Sequence, residues 1–332
     1  MRALQLVAPS KLAVVELPVP SPGPGEVRLQ VKACGICGSD LHGMDGSSGR
    51  RIPPIVMGHE ASGVIDSTGE GVTAWKAGDR VTFDSTVWCG ECGYCREGRV
   101  NLCDSRQVVG VACSEFRRDG AFAEYVTLPE RILHRLPDGL SFGEAAFAEP
   151  VGVALHAVRR AGDVSGSTIL VVGAGLIGLL VIQALKRVGA AKVIAVDLDQ
   201  GRLDLARDLG ADEGIISGSA AVPEVDIAME VVGAPPTVDL AIRSVRKGGR
   251  VVLVGNLAPS VALPLQVVVT RELDVLGSCA IAGEYPEALE AIADGSIRVR
   301  PLISASVSLE DGVDAFVRAA APGALKVLIG SE

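Results

Sequence analysis

The run Val171-Val172-Gly173-Ala174-Gly175-Leu176-Ile177-Gly178 constrains the fold more than any other stretch. It sets G-x-G-x-x-G between a β-branched segment and an apolar segment of helical length. The first glycine permits a tight turn, the second lets a pyrophosphate approach the backbone, and the third lets helix pack on strand. Alone, the motif also describes a generic glycine-rich turn. Here the next strand-like run ends in Val196-Asp197, and 197 − 178 = 19 residues, close to the ~20 at which a carboxylate receives the adenosine ribose hydroxyls. Gly173, Gly175, Leu176, Ile177, Gly178 and Asp197 are therefore the expected dinucleotide contacts, with Asp197 favouring NAD over NADP. Arg202, five residues on, is placed to meet a phosphate at the same end. This reading also absorbs the apolar residues 168–185, which are marginal against the ~20 residues of a membrane span.

The flanking pattern agrees. Residues 168–172, 192–196, 225–230 and 249–254 read as buried strands, and 176–188, 200–209 and 237–245 as the helices between them, the signature of a parallel sheet with crossover helices. Upstream, Ser141-Phe142-Gly143-Glu144 has the form of a capping box, and 145–161 is alanine-rich with helical spacing. Before about residue 130 the chain reads as all-β: alternating runs at 27–31, 61–65, 80–83 and 122–127 are separated by glycine- and proline-bearing turns. Beyond Gly277 a helix over 285–293, a short strand, a helix over 308–319 and a strand over 324–329 make too short a tail for a domain. It is expected to return to the first one.

A chain of 332 residues exceeds what one core usually organises, so two domains are expected. With 48% hydrophobic but only 3% aromatic residues, the cores must be aliphatic. A formal net charge of −9 offers no general basic surface, which argues against nucleic acid and anionic membrane as partners. Residues 1–20 lack a basic end followed by an apolar run, so a cytoplasmic location is expected.

Eight cysteines in such a chain read as metal ligands before disulfides. Cys89, Cys92, Cys95 and Cys103 form C-x2-C-x2-C-x7-C, able to close a four-thiolate shell around one Zn²⁺ and leave no position for substrate. A redox or disulfide cluster is the competing reading; an iron-sulfur cluster fits neither standard ferredoxin spacing. Cys37-Gly38-Ser39-Asp40-Leu41-His42 packs a thiol, a hydroxyl, a carboxylate and an imidazole directly after an alternating run. A thiolate there can bind Zn²⁺, Ser39 can meet a substrate hydroxyl and His42 can pass its proton to water. The plainer reading makes Cys34 and Cys37 buried small hydrophobes and His42 a surface residue. Gly58-His59-Glu60 and Ala148-Glu149-Pro150 offer further ligands, though each taken singly is usually structural.

In order and spacing these motifs, with Gly78-Asp79-Arg80-Val81, resemble the zinc-dependent medium-chain alcohol dehydrogenases over essentially the whole chain, and within them the polyol (sorbitol-like) and threonine dehydrogenase branch. The resemblance implies an α/β protein: a β-rich GroES-like catalytic domain from residues 1–150 and 281–332, and a Rossmann doubly wound parallel-sheet domain from 151–280, with the active site in the cleft between them. It implies two Zn²⁺ per chain, a catalytic one on Cys37, His59 and Glu60 or Glu149 and a structural one on Cys89, Cys92, Cys95 and Cys103. Ser39 and His42 then resemble the family's proton relay, and Asp40 the partner that orients the histidine ligand. The implied reaction is reversible oxidation of a secondary alcohol, a polyol or related compound, with hydride transfer to NAD, in a homodimer or homotetramer. L-threonine or an aldose is the alternative substrate; a non-catalytic dinucleotide-binding redox sensor is the alternative class. Glu149 has its own alternative, a carboxylate at the positive end of the helix that follows. Two departures matter. Gly38 stands where classical alcohol dehydrogenases often carry an arginine, consistent with the polyol branch. The substrate-side arginine of sorbitol dehydrogenases is absent near Cys279-Ala280, which counts against sorbitol itself.

Overall fold

The computed structural model describes residues 1–330. The chain divides into two compact units, one of Met1–Glu149, Ile281–Asp294 and Val299–Glu332, the other of Pro150–Ala280 and Gly295–Arg298.

The first unit is built on a seven-stranded sheet. Its order is Leu133–Arg135, Arg80–Phe83, Glu60–Thr68, Glu26–Gly35, Lys326–Ile329 and Ile303–Val307, with Tyr125–Pro129 also paired to Glu26–Gly35. The returning tail closes this sheet: Leu328 pairs with Gly35 and Ile329 with Cys34. The core is aliphatic, with Leu4, Leu29, Ile55, Ile65 and Leu128 fully buried around an edge-to-face Phe122–Phe316 pair. What reads as uninterrupted β structure also contains the short helices Gly38–Gly43 and Gly93–Arg96. Both follow a cysteine, and neither is long enough to leave a 3.6-residue repeat.

The second unit is a six-stranded parallel sheet in the order Glu213–Ile216, Lys192–Asp197, Thr168–Val172, Val225–Glu230, Val245–Leu253, Asp274–Gly277. Numbered along the chain this is 3-2-1-4-5-6, the doubly wound dinucleotide-binding order, with its switch point beside Thr168–Val172. The helices Leu176–Arg187, Gln200–Asp208 and Pro235–Ser244 supply the crossovers. Asp199 caps the second by accepting from Arg202 N at 3.0 Å. The apolar stretch after residue 168 is thus a central strand and a buried helix. No helix among the described residues is long and apolar enough to cross a membrane.

Some boundaries differ from the sequence pattern. The strands Glu213–Ile216 and Asp274–Gly277 are the two edges of the sheet, so each is covered less fully and carries a weaker apolar run. Residues 145–161 divide into the end of a capped turn, Phe142–Ala145, and the helix Ala148–Ala161. The capping box is present, with Ser141 Oγ accepting from Glu144 N and the Glu144 carboxylate accepting from Ser141 N. The helix read over 308–319 begins at Gly312, because residues 308–311 close a turn in which Asp311 N donates to the Ser308 carbonyl.

Candidate metal centre and dinucleotide turn

The strand Glu26–Gly35 runs out at Gly35, and two residues later Cys37 caps the helix Gly38–Gly43. The antiparallel register sets Gly35 opposite Glu60, so the turn carrying His59 and Glu60 arrives beside Cys37. A Cβ on Gly35 would stand 2.5 Å from Glu60 Oε2 and 3.0 Å from Lys326 Cδ; only glycine leaves room for those side chains. Ligand atoms of Cys37, His59 and Glu60 all lie within 4.8 Å of one another.

The donor set fits a divalent cation. Thiol, imidazole and carboxylate together suit Zn²⁺, and three protein ligands leave a fourth position for substrate or water. His59 Nδ1 is buried without a hydrogen-bond partner. Burial, and then the neighbouring Glu60, push the Cys37 thiol far above its ordinary range. Burial likewise carries the Glu149 carboxyl up to about 7, His59 opposing the rise and Glu60 adding to it. A cation among these groups reverses that cost, because its charge favours the deprotonated forms.

Around the trio, Asp40 is fully buried: Oδ2 accepts from Cys37 N at 3.2 Å, and Oδ1 accepts from Arg51 Nη2 at 3.0 Å and lies 3.6 Å from His59 Nδ1. One carboxylate thereby touches the backbone of one metal-capable residue and faces the imidazole of another. Ser39 and His42 sit on the exposed side of the same short helix, three residues apart and so on one face. Glu149 lies in the first turn of Ala148–Ala161, outside the trio, with Oε1 3.3 Å from Ser85 Oγ. Its burial and the influence of His59 and Glu60 on its carboxyl nevertheless put it in the same electrostatic environment.

The four thiols of Cys89, Cys92, Cys95 and Cys103 form a second group within the same 4.8 Å limit. Backbone N–H groups turn inward onto the sulfurs: Glu91 N and Cys92 N donate to Cys89 Sγ at 3.5 and 3.4 Å, Cys89 N to Cys103 Sγ at 3.3 Å, and Cys95 N to Cys92 Sγ at 3.5 Å. Those donors pull the Cys89 thiol down to about 7, while burial raises Cys95 to about 12. No disulfide joins any of the eight cysteines, all of which lie among the described residues. A closed thiolate shell is the arrangement a structural zinc requires.

In the other unit, Gly173 adopts a positive φ of 104° where a Cβ would strike Val232 Cγ2 at 2.6 Å. A Cβ on Gly178 would fall 1.9 Å from the Gly173 carbonyl oxygen, whereas Gly175 has nothing within 4 Å. Turn, helix packing and open approach are thus divided among the three glycines. Leu176 and Ile177 begin the helix whose N-terminus faces that open side. Asp197 ends its strand with Oδ2 accepting from Ala174 N at 2.6 Å and Oδ1 from Asp199 N at 3.0 Å. Arg202 follows in the first turn of the next helix, its Nε buried without a partner.

Two residues beside the Cys37, His59 and Glu60 trio escaped sequence reasoning. Lys326 is 2% exposed and donates to the Glu60 carboxylate and to the Ile36 carbonyl. A lysine within the apolar strand Lys326–Ile329 was a visible signal, since a buried ammonium needs a partner. Arg51 is 4% exposed and left no signal, standing in a turn-rich stretch where arginine is ordinary.

The family model of the alcohol dehydrogenase GroES-like domain matches residues 23–138, and that of the zinc-binding dehydrogenase domain matches residues 177–294. The chain is 36% identical to sorbitol dehydrogenase of Bacillus subtilis (strain 168) over 96% of its own length and 93% of the other's. It is 35% identical to the probable D-xylulose reductase A of Emericella nidulans, with 94% and 91% covered. Among solved structures, an alcohol dehydrogenase from E. coli CFT073 complexed with NADH matches with a TM-score of 0.92 at 30% identity, covering 99% of both chains.

Proposed function

The chain belongs to the zinc-binding alcohol dehydrogenase family, and from that premise we propose that it oxidises a secondary alcohol of a polyol to the ketone with transfer of hydride to NAD. The grouping of Cys37, His59 and Glu60 donors within 4.8 Å, at the base of the helix that carries Ser39 and His42, supports this reading most directly. Cys37 and His59 hold the catalytic zinc, with Glu60 or Glu149 as the acidic ligand.

Bound there, zinc supplies a Lewis acid that lowers the pKa of the substrate alcohol, and the nicotinamide supplies the hydride acceptor. Ser39, exposed at the start of the helix, takes the alcohol proton, and His42 on the same face returns it to solvent. Asp40 holds the Cys37 backbone and faces His59, limiting the freedom of both ligands. Cys89, Cys92, Cys95 and Cys103 hold a second, structural zinc that takes no part in turnover. On the cofactor side, Gly173, Gly175, Leu176, Ile177 and Gly178 cradle the pyrophosphate. Asp197 accepts from the ribose hydroxyls and repels a 2′-phosphate, and Arg202 covers the same end of the cofactor. A homodimer or homotetramer in the cytoplasm completes the proposal.

Growth of the NADH absorbance band with a panel of polyols, L-threonine and aldoses tests the reading, alongside zinc analysis. Turnover with a polyol and two zinc ions per chain are expected. Dinucleotide binding without turnover on any alcohol in the panel would overturn the catalytic assignment.

A further inference from the structure

Arg51 lies beneath the helix Gly38–Gly43, on the side away from solvent. Its stem passes Gly43, where a Cβ would meet Arg51 Cγ at 2.8 Å. Its Nη2 stands 3.0 Å from Asp40 Oδ1 and 3.3 Å from Ser39 Oγ, and its Nη1 donates to the Arg50 carbonyl at 3.2 Å. The guanidinium is buried while Ser39 is exposed, so the cation approaches the hydroxyl from inside and leaves its outer side clear. The same nitrogen links the carboxylate that faces His59 to the hydroxyl of the proposed relay.

We infer that Arg51 is a positioning residue for the dehydrogenase reaction, fixing the direction of the Ser39 hydroxyl and partly neutralising Asp40; the inference rests on the proposed function above. A serine hydroxyl has one O–H and two lone pairs, and a guanidinium can only donate. Arg51 therefore occupies one lone pair and leaves one lone pair and one O–H, the minimum a relay needs. The substrate O–H breaks as a new Oγ–H forms on the free lone pair, and the old Oγ–H proton leaves for water or a cofactor hydroxyl. Nothing is oxidised in this step, and Ser39 ends with the proton count it began with. The same guanidinium offsets the charge of Asp40, whose Oδ1 lies 3.6 Å from His59 Nδ1.

The test compares Arg51→Gln and Arg51→Lys in the zinc-loaded protein and in a Ser39→Ala background. Arg51→Gln is expected to lower kcat by about tenfold, less than the ~10²-fold low end for losing a positioned acid-base group outright. KM should change less than kcat. Arg51→Lys, which keeps a charged donor at this position, should lower kcat less than half as far, and in Ser39→Ala neither substitution should lower it further. A second readout is independent of turnover. Chelator competition for Zn²⁺ at the Cys37 site should show tighter binding in Arg51→Gln, because Asp40 is released from the guanidinium that offsets its charge, and no such tightening in an Asp40→Asn background. A merely structural arginine would loosen the metal instead. If Arg51→Gln fails to fold, Arg51→Lys carries the test through a fall in kcat that vanishes in Ser39→Ala. An unchanged kcat, an equal fall with and without Ser39, or weaker zinc binding overturns the inference. Absence of turnover in the wild type overturns the functional reading, and the zinc competition then decides the Asp40 part alone.

Discussion

Lys326 and Glu60 form an ion pair with each side chain only 2% exposed, although 266 residues separate them in the chain. Burial alone would lower the Lys326 ammonium, but Glu60, and then Cys37 and Glu149, hold it above its ordinary value. The pair ties the returning C-terminal strand to the Cys37, His59 and Glu60 trio and supplies positive charge to a cluster of acidic donors.

Lys326→Met leaves the Glu60 carboxylate buried without its partner. The metal-free protein is expected to lose about 3 kcal/mol, the low end for breaking a buried pair. Zinc should reduce that loss by offering Glu60 another cation. Urea denaturation with and without zinc reads both, and an unchanged midpoint in the metal-free variant would dismiss the pair as a stabilising contact.

Glu149 stands outside the Cys37, His59 and Glu60 trio yet shares its electrostatics. Glu149→Ala is expected to abolish activity and lower zinc content by one per chain while the four-cysteine zinc stays. Full zinc content in this variant, with loss of one zinc in Glu60→Ala, would assign the acidic ligand to Glu60 instead.

Within the four-cysteine lobe no residue of the helix Gly93–Arg96 is buried. Cys92→Ser is therefore expected to cost one zinc per chain and to lower the melting temperature, because structural zinc binding is folding free energy. Lost turnover at full stability and full zinc content would contradict a structural role.

Asp197 already accepts from Ala174 N and Asp199 N, which fixes its carboxylate at the end of its strand. The wild type should show higher kcat/KM with NAD⁺ than with NADP⁺, and Asp197→Asn should erode that preference by about tenfold, equivalent to about 1.4 kcal/mol. A wild-type preference for NADP⁺ would refute the role given to Asp197.

His134 stacks on Tyr285 at 4.8 Å, and burial pushes its imidazole down to about 4 from 6.5. Above pH 6.5 both folded and unfolded chains hold it neutral. Between 6.5 and 4 the unfolded chain binds a proton that the folded chain refuses, so stability falls with pH, by at most about 3 kcal/mol. Asp84 acts in the opposite sense: burial raises its carboxyl from 3.8 to about 6, so its destabilising charge is relieved as pH falls through that range. His134→Phe keeps the stacking and removes the first effect. Its stability, from urea denaturation across this window, should rise toward low pH relative to the wild type; parallel curves would exclude His134 as the source.

Sequence by itself determined what depends on short spacing. The G-x-G-x-x-G turn with Asp197 in the next strand, the C-x2-C-x2-C-x7-C lobe and the Cys37-to-His42 cluster each lie within a short stretch, at most the 24 residues from Gly173 to Asp197, where turns and helix starts impose local geometry. The doubly wound sheet was equally legible, since central strands buried on both faces must be continuously apolar. Tertiary structure decided what depends on register. The antiparallel pairing of Gly35 with Glu60 and with Leu328 brings three distant segments together, and it alone seats Lys326 against Glu60. Arg51 reaches Asp40 and Ser39 by folding back over 11 and 12 residues of turn-rich chain that has no period to read. A charged side chain announces that it needs a partner, but which partner it finds is set by how the sheet closes.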